Sequence, residues 1–161
     1  MSSHDADPDD GRRETAAQRA DRNWGEILQE LRVIQTGTQL ISGFLLTVAF
    51  QPRFGSLDAV DRTIYGVLVG LAAASTILGL AIVGLHRARF RHHDKPRLVT
   101  VANVMLRVMI AAVAALSVGV VLLIFDTVFG RPAGIVAGSV AAAAVVVLLV
   151  IFPAAWRSRR P

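Results

Sequence analysis

The sequence predicts an all-α protein, a four-helix transmembrane bundle made of two tandem hairpins with a cytoplasmic amphipathic N-terminal extension. The 161 residues are 53% hydrophobic, with a mean hydropathy of +0.53. A soluble domain of this size has too small a core to bury so many apolar side chains. Only 18% of the residues are charged, and they are clustered. The long uncharged runs between the clusters have the length of about 20 residues that a helix needs to cross a bilayer.

The N-terminal part of the chain divides into a tail and a helix. Residues 1–20 are rich in Asp, Ser and Arg without apolar periodicity, which predicts a disordered acidic tail. They lack the apolar stretch of a cleaved signal peptide. A helix is predicted to begin near Asn23, an N-cap residue with Glu26 three positions later. Its apolar residues recur at helical spacing, and we interpret them as a docking surface along the cytoplasmic face of the membrane: Trp24, Ile27, Leu28 and Leu31.

The membrane domain, residues 21–156, is predicted to contain four spans, at about 33–50, 63–85, 108–125 and 133–155. The first is the least apolar, because amides and hydroxyls fill its inner half. It ends before Pro52, since proline cannot continue the helical hydrogen bonds. A basic segment follows the second span, and residues 157–161 form a basic C-terminal tail.

The distribution of positive charge predicts the orientation in the cell membrane. The segments predicted to lie outside contain three cationic residues, Arg53, Arg62 and Arg131, whereas five lie between Arg87 and Arg97 alone. The positive-inside rule then places both termini in the cytoplasm. The net charge of +5 comes from residues that flank the spans, which favours contact with anionic lipid headgroups and not with nucleic acid.

Polar residues on the first predicted span form a stripe. Arg32, Gln35, Gln39 and Ser42 lie at offsets of three, seven and ten residues, on one side of a helix. Polar groups in a membrane need partners, so the stripe should face protein or water. It is predicted to be a seam of hydrogen bonds between helices, or else a surface that lines a path for a solute or ion.

Asp126 lies at the outer edge of the third span. An ionisable residue in a span is a functional candidate, but this one is close enough to the headgroups to be solvated there. A structural role and a role in transport both remain open for it.

Small residues recur every fourth position on the second and fourth spans, at Gly66, Gly70, Gly134 and Gly138. Such spacing lets helix backbones approach closely in lipid. It predicts packing within one subunit or between copies, although a sequence rich in Ala and Gly also produces it by coincidence.

The sequence gives little support for catalysis, a cofactor or a metal. It contains no cysteine and no recognisable catalytic motif. The carboxylates outside the N-terminal region are interpreted as too scattered for acid–base work: Asp58, Asp61, Asp94 and Asp126. A metal site formed by His86, His92, His93 and Asp94 is a weaker interpretation than a solvated basic loop. We therefore predict that the protein is not an enzyme.

The segment from Asp21 to Gly37 resembles the opening of a family of small, uncharacterised membrane proteins, mostly actinobacterial. Further matches occur at Gly43-Phe44-Leu45-Leu46, Phe50-Gln51-Pro52-Arg53-Phe54 and Arg62-Thr63-Ile64-Tyr65. The resemblance extends to about Gly130, while the last span is similar only in hydrophobicity. It implies a four-span fold and no activity.

These observations predict a non-catalytic membrane protein that associates with another membrane protein, with lipid or with itself. The alternative is a subunit of an oligomeric channel or small transporter, because four spans could line a path in a dimer. Small multidrug exporters rely on a membrane-embedded glutamate in their first span, where this chain has Gln35 and Gln39. This difference weighs against proton-coupled export.

Overall fold

The computed structural model describes residues 16–89 and 95–157, which are almost entirely helical and contain no strand. The long helices are α1 (Ala16–Val48), α2 (Ala59–Arg89), α3 (Lys95–Phe129) and α4 (Arg131–Val146). A 3₁₀ turn, Pro52–Ser56, lies between α1 and α2. After α4, a π-helical turn, Val147–Ile151, leads into α5 (Phe152–Arg157). The predicted all-α class with four long helices is confirmed.

Three of the described helices are long and apolar enough to cross a membrane. The qualifying segments are Ala59–Leu85, Thr100–Phe129 and Arg131–Trp156. Helix α1 is not among them, because amides and hydroxyls dilute its apolar residues. Its 33 residues nevertheless correspond to about 50 Å of helix, enough to accompany the other three across a bilayer.

Helices α1, α2 and α3 form a three-helix core, because each of them packs against the other two. One buried cluster, here called the Trp24 cluster, lies towards the start of α1: Trp24, Ile27, Leu31, Ile82, Ala102, Leu106 and Met109. A second, the Leu45 cluster, lies towards the end of α1: Leu45, Tyr65, Leu68, Ala72, Leu116 and Leu123. Helix α1 therefore runs beside α2 and α3 from one end of the bundle to the other.

Helix α4 packs against α3 from outside this core. A single residue, Gly130, separates the two helices, and its φ of 91° is a left-handed conformation that favours glycine. The N–H of Gly130 donates to the carbonyl of Asp126 at 2.8 Å, which closes the end of α3. Pro132 in the first turn of α4 has a preset φ suited to that position. The chain thus reverses abruptly and α4 returns along α3.

The π-helical turn before α5 has a local cause in Pro153. Proline has no N–H, and its ring would collide with the carbonyl four residues earlier in a regular α-helix. Phe152, the residue before the proline, makes a wider hydrogen bond instead. Its N–H donates to the carbonyl of Val147, five residues earlier. The helix therefore passes the proline without ending.

Several predicted features lie partly or wholly outside the described residues. Ala16–Ala20, placed in the tail by the sequence, belong to α1. Residues 1–15, residues 90–94 of the basic segment and residues 158–161 are not described. The weak metal-site interpretation rests on His92, His93 and Asp94, which are among them.

Candidate functional site

The most organised polar site in the described residues is a group of four charged side chains, here called the Arg131 cluster. Arg131 Nη2 donates to Asp58 Oδ2 at 2.6 Å, while Nη1 donates to Asp61 Oδ1 at 2.9 Å and to Asp126 Oδ2 at 2.5 Å. Asp58 and Asp61 lie at the start of α2, Asp126 near the end of α3 and Arg131 at the start of α4. One guanidinium therefore joins three helices.

Local structure explains why Asp58 and Asp61 are placed together. Asp58 precedes α2, and its Oδ1 accepts a hydrogen bond from the backbone N–H of Asp61 at 2.8 Å, as an N-cap residue does. Asp61 lies in the first turn, where the helix dipole favours negative charge. The bond from Asp61 N–H, supported by Arg131, holds the pKa of Asp58 below its usual value in spite of an opposing desolvation effect.

Burial makes Arg131 essential to this arrangement. Asp61 and Asp126 are each 7% exposed, and a carboxylate removed from water needs a cation or several donors. Arg131, whose side chain is 36% exposed, supplies two nitrogens to three carboxylates. The planar fork of a guanidinium can serve several acceptors at once, which the point charge of a lysine does less well.

Spacing in the sequence does not predict that these four residues meet. From the sequence, Arg131 is predicted only as an external positive charge, and Asp58, Asp61, Asp94 and Asp126 are interpreted as too scattered for acid–base work. Three of the four converge on Arg131, because the start of α2, the end of α3 and the start of α4 lie at the same end of the bundle. Successive spans are predicted to cross the membrane in opposite directions. The sequence therefore already predicts that all four residues of the Arg131 cluster lie on the same side of the membrane.

The predicted polar stripe does not form one seam between helices. Arg32 and Gln39 are exposed, whereas Gln35 and Ser42 are half-buried. At 100° per residue, Gln39 lies about 20° around the helix from Arg32, while Gln35 and Ser42 lie about 60–80° around it. The four residues therefore cover a broad arc of the helix surface. Only the edge of this arc with Gln35 and Ser42 faces the bundle.

Among the stripe residues, Gln35 makes the hydrogen bond to another helix. Its Nε2 donates to the carbonyl of Thr76 on α2 at 3.4 Å, while its Oε1 is buried without a hydrogen-bond partner in the described residues. The amide fits against α2 because Gly79 has no side chain, and a Cβ at that position would collide with it. Ser42 donates instead to the carbonyl of Thr38 on its own helix.

The most deeply buried hydroxyls near the stripe were not predicted. Thr38 on α1 is 1% exposed and Ser75 on α2 is fully buried. Each donates to the carbonyl four residues earlier, that of Ile34 and that of Leu71 respectively, at 2.8 Å. Their polar groups are therefore satisfied within their own helices and need no partner across the interface.

The residues interpreted as a cytoplasmic docking surface are used inside the subunit. Trp24, Ile27 and Leu31 are buried in the Trp24 cluster, and Leu28 is partly buried against it. Their helical periodicity reflects packing on α2 and α3. This apolar face of α1 is therefore not available for docking in the arrangement described, and the interpretation is corrected accordingly.

The four candidate packing glycines fall into two pairs. A Cβ at Gly134 would lie 2.9 Å from the Cα of Asp126, and one at Gly138 would lie 3.0 Å from the Cβ of Leu122, so both lie tightly against α3. Gly66 and Gly70 are exposed, and a Cβ there would meet nothing within 4 Å. Of these four glycines, Gly134 and Gly138 pack against another helix among the described residues, whereas Gly66 and Gly70 do not.

Three of the described helices have the length and apolar composition of the spans in α-helical membrane proteins. By its sequence, it belongs to a family of unknown function, DUF6328, whose model matches residues 13–153. The predicted membership of an uncharacterised family is thus confirmed, and the match continues into α4, beyond the limit near Gly130 drawn from the resemblance. No curated protein and no solved structure matches the chain.

Proposed function

We propose that the chain is a non-catalytic integral membrane protein that acts by associating with other components of the bilayer, with both termini in the cytoplasm. The observation that carries this proposal is the outward apolar surface of its spans. Of the most apolar 18 residues in the segment Ala59–Leu85, only 28% are buried inside the molecule. In the segment Arg131–Trp156, the corresponding share is 6%. So much outward apolar surface requires lipid or another membrane protein as its surroundings.

The surface that we propose for association is the exposed face of α2, and its partner is a second copy of this chain. Gly66 and Gly70 lie on this face beside Val67, which is 58% exposed. Glycine in a helix interior costs about 1 kcal/mol relative to alanine, and a close contact that only glycine permits would offset this cost. Close approach of a second backbone would provide that contact.

Cysteine cross-linking in native membranes tests this proposal without background, because the chain has no native cysteine. Val67→Cys should give a disulfide-linked dimer on mild oxidation. Val140→Cys on α4 is the matched control, since Val140 is also an exposed valine, 65% accessible. If the two variants cross-link equally, or neither does, the proposed α2 surface is wrong.

The orientation is tested separately by labelling. Ser158→Cys should resist an impermeant maleimide in intact cells, whereas Ser56→Cys in the 3₁₀ turn should react. Labelling of Ser158→Cys from outside would reverse the proposed topology.

A channel or transporter subunit is the second candidate function, and the environment of Gln35 favours it. Its Oε1 is a buried acceptor without a partner in the described residues, which is costly unless water or a solute reaches it. Gln35→Leu should then abolish flux of a tracer cation in reconstituted vesicles without loss of stability, while the exposed Gln39→Leu should preserve flux. Absence of specific flux in the wild type would exclude this candidate for the cation used.

A further inference from the structure

An apolar cavity of about 380 Å³ lies between the last turns of α1, the 3₁₀ turn and the last turns of α3. Leu45 and Leu123 are buried residues of its lining, and the half-buried Phe54 of the 3₁₀ turn also lines it. Phe44 and Ile124, which are 68% and 53% exposed, form its outer walls. The cavity therefore opens sideways, towards the surface that faces lipid, and its volume is within the usual range of about 300–1,000 Å³ for ligand pockets.

Specific contacts hold the cavity open. The hydroxyl of Tyr65 donates to the carbonyl of Leu45, near the end of α1, at 2.8 Å. The rings of Tyr65 and Phe54 meet edge to face with centroids 5.0 Å apart. These contacts fix the 3₁₀ turn above the helices, so the cavity is a preformed feature of the fold.

The mouth of the cavity carries a positive charge. Arg53 lines it, is exposed, and makes no ion pair with the described residues. The nearby Arg62 uses Nη2 to hold the carbonyl of Leu57, and Arg131 is occupied by three carboxylates. Arg53 is therefore a cation available to an external anion, at the level where α1 leaves the apolar region.

We propose that this cavity binds one acyl chain of an anionic phospholipid from the surrounding leaflet, with the lipid phosphate on Arg53. The apolar lining suits the chain, and the exposed guanidinium suits the phosphate. The lateral opening lets the second chain stay in the bilayer, which favours a membrane lipid over a free soluble acid. This site is formed by α1 and α3 and is independent of the proposed association through α2.

Native mass spectrometry of the full chain in detergent, titrated with phosphatidylglycerol or phosphatidylcholine, tests the proposal. Wild type should bind phosphatidylglycerol more tightly than phosphatidylcholine. Arg53→Gln should weaken phosphatidylglycerol binding by about fivefold, as expected for one cation near a phosphate, and leave phosphatidylcholine binding unchanged. Arg32→Gln removes an exposed cation on α1 that does not line the cavity, and it should have no effect.

A second pair of variants tests the acyl-chain part of the site. Ile124→Trp places a larger side chain at the cavity wall and should weaken binding of phosphatidylglycerol even with Arg53 present. Ile135→Trp makes the same change at a 56% exposed position on α4 and should not. Unchanged phosphatidylglycerol binding in Arg53→Gln, or equal binding by the two tryptophan variants, would overturn the proposal, whatever the oligomeric state.

Discussion

Helices α2 and α4 each belong to a segment long and apolar enough to cross a membrane, and each has a pair of glycines four residues apart, yet the two pairs have different surroundings. On α4, Gly134 and Gly138 lie against α3, whereas on α2, Gly66 and Gly70 point away from every described helix. Helix α2 packs against both α1 and α3, while α4 packs mainly against α3. A helix with two neighbours can leave its glycines outside, but α4 depends on close approach to a single neighbour.

The position of the charged residues explains which pair is buried. Arg131 begins α4 and is bound by Asp126 of α3, so the first turns of α4 are drawn against the last turns of α3. Gly134 lies one turn further, directly beside Asp126. The same small-residue spacing in sequence thus has different outcomes, and on α4 the buried pair lies beside an ion pair that the spacing does not reveal.

Gly138→Leu should have the largest effect on stability. The Cβ would already be 3.0 Å from the Cβ of Leu122, and the rest of a leucine side chain has no space unless α4 moves away from α3. We expect a loss of about 3 kcal/mol or more in the free energy of unfolding, measured by thermal or denaturant melting in detergent. Val146→Leu, at an exposed position on the same helix, should be nearly silent. Equal effects of the two substitutions would show that α4 does not depend on this contact.

Arg131→Gln should come next, with a loss of stability smaller than that of Gly138→Leu but clearly measurable by melting in detergent. Removing one partner of a fully buried pair costs about 3–5 kcal/mol, and the partial exposure of Arg131 reduces this penalty. Arg131→Lys keeps the charge without the planar fork and should fall between Arg131→Gln and wild type. If Arg131→Gln melts like wild type, the cluster does not hold α4 in place.

Gly134→Ala and Gly70→Ala test the difference between the glycines of α4 and those of α2 with the smallest side chain, a single methyl group. At Gly134 the added methyl meets the backbone of Asp126 at 2.9 Å, so we expect a loss of about 1–2 kcal/mol. At Gly70 it meets nothing in the subunit, so the stability of the monomer should be unchanged or slightly higher. A monomeric Gly70→Ala that is destabilised as much as Gly134→Ala would contradict the assignment of the two faces.

The sequence was sufficient for the class of fold but not for the arrangement of its surfaces. Uncharged runs of sufficient length show helices, and Pro52 and Gly130 lie close to their ends. The predicted start near Asn23 was wrong, because α1 already begins at Ala16 and Asn23 lies inside it. Periodicity could not show what the apolar residues of α1 contact. Trp24 and Ile27 face α2 and α3, although the same pattern is typical of a helix lying on a membrane.

The Arg131 cluster could not be predicted from spacing because its members lie far apart in the chain. Asp58 and Arg131 are separated by 73 residues and meet only once α2, α3 and α4 are packed. The hydrogen bond from Gln35 to α2 could not be predicted either, because it depends on the space left by Gly79. Such contacts follow from the rotation of each helix about its axis, which hydropathy alone does not determine.

The smallest expected effect concerns Asp58, and it appears as a dependence on pH. The pKa of Asp58 is lowered in the folded protein, chiefly by the hydrogen bond from Asp61 N–H and also by Arg131. A lowered pKa means that the ionised form favours folding. Its contribution is therefore fully present above the ordinary value of 3.8 and is lost as the pH falls through the lower folded value.

Asp58→Asn keeps a side-chain acceptor for the N-cap but removes the charge. We expect it to melt slightly below wild type at pH 6, with the difference shrinking towards pH 3. A difference that stays constant over this range, or grows on acidification, would show that the charge of Asp58 does not contribute to holding α2 and α4 together.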